Sequence, residues 1–228
     1  MVIIGQASID ENGSISGGQA GNQGTELNLS PWHDGGWTLL LRFRDPKQGR
    51  KAALICRQIV ASKKVGYDQG QRNTLRKCLE AAKWDVSKMS TPCETDCSAF
   101  VAVCAEAAGV DMDKAYTAGN APATFQMRAA YVATGAFEAL ADARYLRTDA
   151  NLMDGDILVN EARHAVMVVS GGVPDSGTGD NPSAWAREAT DWAKREGLFG
   201  GDGSGNYDWQ QPITREAMAA VLYRFSRL

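Results

Sequence analysis

Histidine is scarce in this chain: 228 residues hold only His33 and His164. A general base for thiol chemistry therefore has two candidates. The five cysteines, at 56, 78, 93, 97 and 104, have no second Cys/His cluster beside them, which disfavours a four-ligand zinc site. No apolar run approaches the roughly 18 residues of a membrane span, so no membrane insertion is expected. Met1-Val2-Ile3-Ile4-Gly5 lacks a basic leader and a long apolar stretch, so it is not a secretory signal. An odd cysteine count without such a signal suggests reduced thiols made in a cytosol. Positive charge is not in excess: 24 Lys and Arg face 27 Asp and Glu, a net charge of −3, which argues against nucleic acid as the main partner. The Gly-rich stretch from Gly17 to Glu26 lacks the Lys-Ser/Thr ending of a phosphate loop and the spacing of a dinucleotide fingerprint. It reads as a structural loop walling a groove, and no cofactor and no metal are expected.

Thr95-Asp96-Cys97-Ser98 is the most informative stretch. It opens a segment, Cys97 to Ala108, that reads as an amphipathic helix with Phe100, Val101, Cys104 and Ala108 on the face of Cys97. Thr95 or Asp96 is the natural N-cap. A thiol there points at unpaired amides and the positive end of the helix dipole, and both pull its pKa below the free value of about 8.5. The base follows in Asp156 to Val169. This reads as two strands, 156–160 and 163–170, opened by the turn Asp154-Gly155, with His164 at the start of the second. Taken singly, Cys97 has a plainer role as a small buried hydrophobe and His164 as a hydrogen-bonded strand residue. Together, a cysteine on a helix N-terminus and a histidine on a strand match the thiol–imidazole arrangement of nucleophilic hydrolases.

Asp96-Cys97-Ser98 with its apolar helix, Asp154-Gly155-Asp156-Ile157-Leu158 and His164-Ala165-Val166-Met167-Val168-Val169 resemble the NlpC-type cysteine peptidases and their CHAP relatives, papain-like peptidoglycan hydrolases. The version here looks most like the endolysins of phages and prophages of Gram-positive bacteria. The resemblance implies a third, polar residue on the strand after the histidine. That position is empty, because the chain runs into a Gly-, Pro- and Asp-rich linker. Gln6, on a strand read over 2–9, is the replacement if the fold is circularly permuted; otherwise it is an ordinary polar strand residue. The resemblance also gives Tyr67, Asp96 and Ser98 as the oxyanion and substrate-binding set. Tyr67 is either an oxyanion donor or a half-buried phenol. Asp96 caps the helix, binds a free amine of the stem peptide, or does both.

Helices are expected near 47–63, 71–83, 97–108 and 121–133, with strands at 38–43 and 137–140. Helices preceding an antiparallel sheet indicate an α+β fold, papain-like by the resemblance. Cys56, Cys78 and Cys104 fall on inward helix positions, and Cys93, four residues before Cys97, reads as a loop thiol, with a regulatory disulfide as the alternative. Trp32 and Trp37 flank Asp34-Gly35-Gly36 as edge-of-core packing or a sugar-stacking pair.

The domains are expected at 1–172, a linker at 173–181, and a small helical module at 182–228. In the module, Trp185, Ala189, Trp192 and Ala193 share one helix face. Thr214 caps a second helix with Ala217, Val221, Leu222 and Phe225 on its apolar face. The tail resembles a single S-layer homology repeat through Trp185-Ala186, Trp192-Ala193, Gly197-Leu198-Phe199 and Ile213-Thr214-Arg215-Glu216. This implies wall polysaccharide as ligand, with Trp185 and Arg215 as binding residues, and self-association of so small a unit. Asp202, Ser204 and Asn206 alternate like part of a calcium loop but lack its distal Glu. The whole reads as a peptidoglycan hydrolase made in a host cytoplasm and acting on the wall after release. The alternatives are a non-catalytic wall-binding protein of the same fold and a papain-fold enzyme of another class.

Overall fold

The computed structural model describes residues 1–171, 182, 186–201, 207, 209 and 213–227. The chain forms two compact units, Met1–Val173 and Pro174–Leu228. The expected linker 173–181, Trp185 and the Asp202–Asn206 loop lie outside the described residues.

In the first unit the strands are β1 (Ile3–Ala7), β2 (Leu27–Pro31), β3 (Leu39–Phe43), β4 (Val65–Tyr67), β5 (Cys93–Thr95), β6 (Phe137–Leu140), β7 (Ile157–Asn160) and β8 (His164–Ser170). The helices are α1 (Pro46–Ser62), α2 (Thr74–Ala81), α3 (Cys97–Ala107), α4 (Met127–Ala133) and α5 (Ala143–Leu146). The fold is α+β. Six strands form an antiparallel sheet in the order β2-β1-β8-β7-β3-β6, and β4 and β5 form a small parallel pair.

Side chains alternate across a strand, so each long strand feeds two cores. Leu39, Leu41, Ile157, Val159, Ala165, Met167 and Val169 face the main core with α1 and α3. Leu40, Leu158, Val166 and Val168 face a second, smaller core with Ile4, Trp37, Leu146 and Leu152. The sheet is therefore covered on both sides. α3 is not amphipathic as its spacing suggested. Every residue from Cys97 to Ala105 is buried, as is Ala107. A helix apolar all round belongs inside a core, and the small Ala99, Ala102 and Ala105 let neighbours approach it closely. Its one polar outlier, Glu106, pairs with Arg76 at 2.7 Å.

Three other expectations change. The helix near 121–133 starts late: a 3-10 turn, Thr124–Gln126, precedes α4, because a residue before proline, here Ala121, disfavours helical backbone. α2 begins at Thr74 rather than 71. Cys93 is not a loop thiol: it lies on β5, buried, with the half-buried Cys78 of α2 adding to the burial that raises its pKa.

The Gly-rich loop is tied down by buried carboxylates. Gly21 donates its amide to Glu94 Oε1 at 2.8 Å, Gln23 to Glu26 Oε1 at 2.6 Å, and Gly17 to Asp68 Oδ2 at 3.0 Å. Glu26 Oε2 also accepts the Tyr67 amide at 2.8 Å. Glu94 and Glu26 crowd the face of Gly66 where a side chain would stand. Burial, with Glu26, Asp68 and Glu11 nearby, pushes the Glu94 carboxyl up to about 7.

In the second unit, α6 (Arg187–Arg195) and α7 (Arg215–Phe225) form the described framework. Thr214 caps α7 by accepting the Ala217 amide at 3.0 Å. Arg224 Nη1 donates to the Leu198 carbonyl at 2.7 Å, and Trp192 meets Phe225 edge-on at 6.3 Å. Trp192, Leu222 and Phe225 remain exposed along a groove of about 500 Å³. Among the described residues no helix is long and apolar enough to cross a membrane.

Folded Glu94 keeps its proton from the ordinary 4.5 up to about 7, a window in which the unfolded chain has lost it. Stability drawn from the neutral form therefore falls as pH rises through that window. Glu94→Gln retains an acceptor for Gly21 and stays neutral. Thermal unfolding should show it more stable than wild type at pH 8, by about 1–3 kcal/mol, with the gap closing at pH 4. An equal gap at both pH values would refute this origin.

Candidate active site

Asp96 is the N-cap of α3: its backbone is extended and its Oδ1 accepts the Ala99 amide at 2.8 Å. This geometry sets Cys97 at the first helical position. β5 leads into it, and the register Tyr67↔Thr95 puts Tyr67 of β4 alongside. The amides of Ser98 and Ala165 are turned to the Cys97 thiol. Ala165 follows His164 on β8, so the thiol lies against the strand that carries the imidazole.

The third group comes from the chain's first strand. β1 pairs with β8 through Ile4↔Val168 and Gly5↔Met167, and Gln6 follows. Its Oε1 lies 3.0 Å from His164 Nε2. The amide orientation is set on its other side, where Gln6 Nε2 donates to Asn28 Oδ1 at 3.2 Å and to Ser30 Oγ at 3.3 Å, both on β2. A carbonyl oxygen only accepts, so His164 Nε2 carries the proton and Nδ1 is the basic nitrogen. Trp37 stacks on the imidazole, with ring centroids 6.3 Å apart and 26° between planes. Its Nε1 donates to the His33 carbonyl at 3.0 Å, and Asn160 Nδ2 donates to the Gly35 and Gly36 carbonyls at 3.1 and 3.0 Å. The 32–37 turn is thus a braced wall beside His164. Trp37 is 1% exposed, which removes it as a sugar-stacking surface.

The electrostatics differ from the expectation drawn from the helix dipole. Burial, reinforced by the Asp96 charge, pushes the Cys97 thiol up to about 11, against the two amides and Arg72. Burial, with His33 and Arg163, pulls His164 down to about 4. At neutral pH the resting pair is a neutral thiol and a neutral imidazole. Desolvation of the charged form outweighs the dipole, even at this first helical position. An arrangement of this kind suits proton transfer concerted with attack rather than a preformed ion pair.

Tyr67 is buried and its hydroxyl accepts from Gln69 Nε2 at 3.0 Å. Burial raises its pKa, so the phenol keeps its proton and can donate. Asp96 and Ser98 are engaged internally. Arg72 Nε lies 2.7 Å from Asp96 Oδ2, and Arg72 Nη2 lies 3.2 Å from Asp96 Oδ1 and 2.6 Å from Ser98 Oγ. Ser98 Oγ in turn donates to Asp96 Oδ1 at 3.1 Å. Arg72 has no local motif that singles it out for the site from sequence. Trp37 reads there as edge-of-core packing or sugar stacking, which does not reveal its place against the imidazole.

Arg215 belongs to the second unit. It is exposed at the start of α7, and no carboxylate pairs with it among the described residues.

Gln6→Glu would place a carboxylate on His164 Nε2 and favour the imidazolium. The His164 midpoint, read by NMR titration, should rise from about 4 by about 1–3 units. An unchanged midpoint would break the assigned contact.

A family model described as the endolysin-like domain matches residues 4–175. No curated protein and no solved structure matches the chain. The matched span includes Gln6, Tyr67, Asp96, Cys97 and His164, and the chain belongs to the endolysin-like domain family.

Proposed function

We propose that this protein is a wall lytic enzyme that cuts an amide or peptide bond of peptidoglycan with a Cys97–His164 pair, in the manner of NlpC- and CHAP-type cysteine peptidases. Membership of the endolysin-like family supports the substrate class. The observation that carries the chemistry is the Gln6–His164 contact at 3.0 Å, which leaves Nδ1 as the base on the strand facing the thiol.

Cys97 Sγ attacks the carbonyl carbon as its proton passes to His164 Nδ1. The Cys97 amide and the Tyr67 hydroxyl stabilise the oxyanion. The intermediate collapses, His164 gives the proton to the leaving amine, and a thioester remains. Water, deprotonated by His164, then releases the acid and restores the thiol. Gln6 holds the ring through Nε2. It stands on β1, next to β8, which supports a circularly permuted strand order. Asp96 acts as a helix cap rather than a free-amine receptor, since both its oxygens are engaged. No cofactor takes part.

The second unit serves as an S-layer homology-like wall-binding module. Trp185 and Arg215 contact the polysaccharide, and the exposed apolar groove supports self-association. The enzyme is made in the cytoplasm and reaches the wall after release. One observation favours the rival reading, a non-catalytic wall-binding protein: Cys97 is 6% exposed and its thiol is held up to about 11.

The test is mass spectrometry of purified peptidoglycan after incubation with wild type, Cys97→Ala, His164→Ala and Gln6→Ala. Wild type should release new fragments, Cys97→Ala and His164→Ala should release none, and Gln6→Ala should be slower by about 10–100-fold. No fragments from wild type on walls of several species would favour the binding protein. Full activity of Gln6→Ala would remove Gln6 from the machinery.

A further inference from the structure

Arg72 lies in the segment before α2, far in sequence from the nucleophile, yet it converges on the first turn of α3. Its guanidinium pairs with both oxygens of Asp96, donates to Ser98 Oγ at 2.6 Å, and reaches the Pro122 carbonyl at 3.4 Å. Side-chain exposure at this pair is 18% for Arg72 and 9% for Asp96, so water screens it little. The chain needs Asp96 as the cap that sets Cys97 at the helix start, but that carboxylate is also a negative charge next to a group that must become a thiolate.

We propose that Arg72 is a positioning residue of the nucleophile: it clamps Asp96 and Ser98 at the first turn of α3 and offsets the Asp96 charge beside the thiol. This rests on Cys97 being the nucleophile. The groups facing the thiol are Asp96 on its own helix, Arg72, Tyr67 of β4 and the Ser98 and Ala165 amides, with His164 beside Ala165 on β8. Asp96 opposes thiolate formation, and Arg72 and the amides favour it. A planar fork suits this task, because one guanidinium can hold a carboxylate and a hydroxyl at once. The residue carries no chemistry itself; it acts through Asp96.

The readout is the pH dependence of Cys97 alkylation by iodoacetamide in the full-length protein, followed by peptide mass spectrometry so that the other thiols do not interfere. Arg72→Met should move the midpoint up by about one pH unit. Asp96→Asn, which keeps a cap oxygen, should move it down. The double variant should return close to wild type, and Arg72→Lys should shift less than Arg72→Met. A purely structural Arg72 would not produce opposite shifts that cancel. An Arg72→Met profile that overlays wild type, or a double variant displaced from wild type as far as Arg72→Met alone, overturns the proposal. If Arg72→Met does not fold, Asp96→Asn alone decides: an unchanged or raised midpoint overturns it. Alkylation needs no turnover. Wall hydrolysis that survives Cys97→Ala would therefore sink the catalytic reading, while the alkylation profiles still judge Arg72.

Discussion

The antiparallel seam between β1 and β8 places the first strand of the chain against the strand of His164, and the site is arranged around it. The seam is tight. A side chain on Gly5 would fall onto Cys56 Sγ of α1 and Val169 of β8, so the strand lies flush against its neighbours only because Gly5 has none. One residue further on, Gln6 meets the imidazole. β2 then pairs along the outer edge of β1, and its Asn28 and Ser30 hold the Gln6 amide in one orientation. Two strand pairings thus determine which nitrogen of His164 is basic.

Around that seam the protein balances burial against charge. Covering both faces of the sheet gives a large core, and α3 lies wholly inside it. The Cys97 thiol at its N-terminus is therefore desolvated, and the neutral form wins over the pull of the helix end. The same burial keeps His164 neutral at ordinary pH and keeps the Tyr67 phenol protonated. What is lost in a preformed ion pair is retained as a set of prearranged donors and acceptors. Arg72 and Trp37 belong to this balance. One meets the cap carboxylate, and the other covers a face of the imidazole.

The carboxylates beneath the Gly-rich loop show a second use of buried polarity. Glu26 binds the Tyr67 amide, and Glu94 lies three residues before Cys97, so the loop, β4 and the lead-in to Cys97 are fastened together. The loop has the composition of a flexible segment, yet its amides are satisfied by buried acids, which is how an irregular stretch is held close to a site.

Local chemistry alone determined much of this protein. A cap before an apolar run predicted α3 to within a residue of its observed end. β-branched alternation after a turn dipeptide predicted β7 and β8. With only two histidines to choose from, Cys97 and His164 could be named together as candidates. Hydrophobic periodicity could not reveal β4 or β5, whose three residues each are too short to show a period, nor that α3 would be enclosed on nearly every side. Only the tertiary structure brought Gln6 to His164, Arg72 to Asp96, Trp37 onto the imidazole and Cys78 to Cys93, because each pairing joins segments far apart in sequence. The thiol's protonation was decided there as well. A sequence displays the helix end that favours thiolate, but the desolvation that outweighs it exists only once the core has closed.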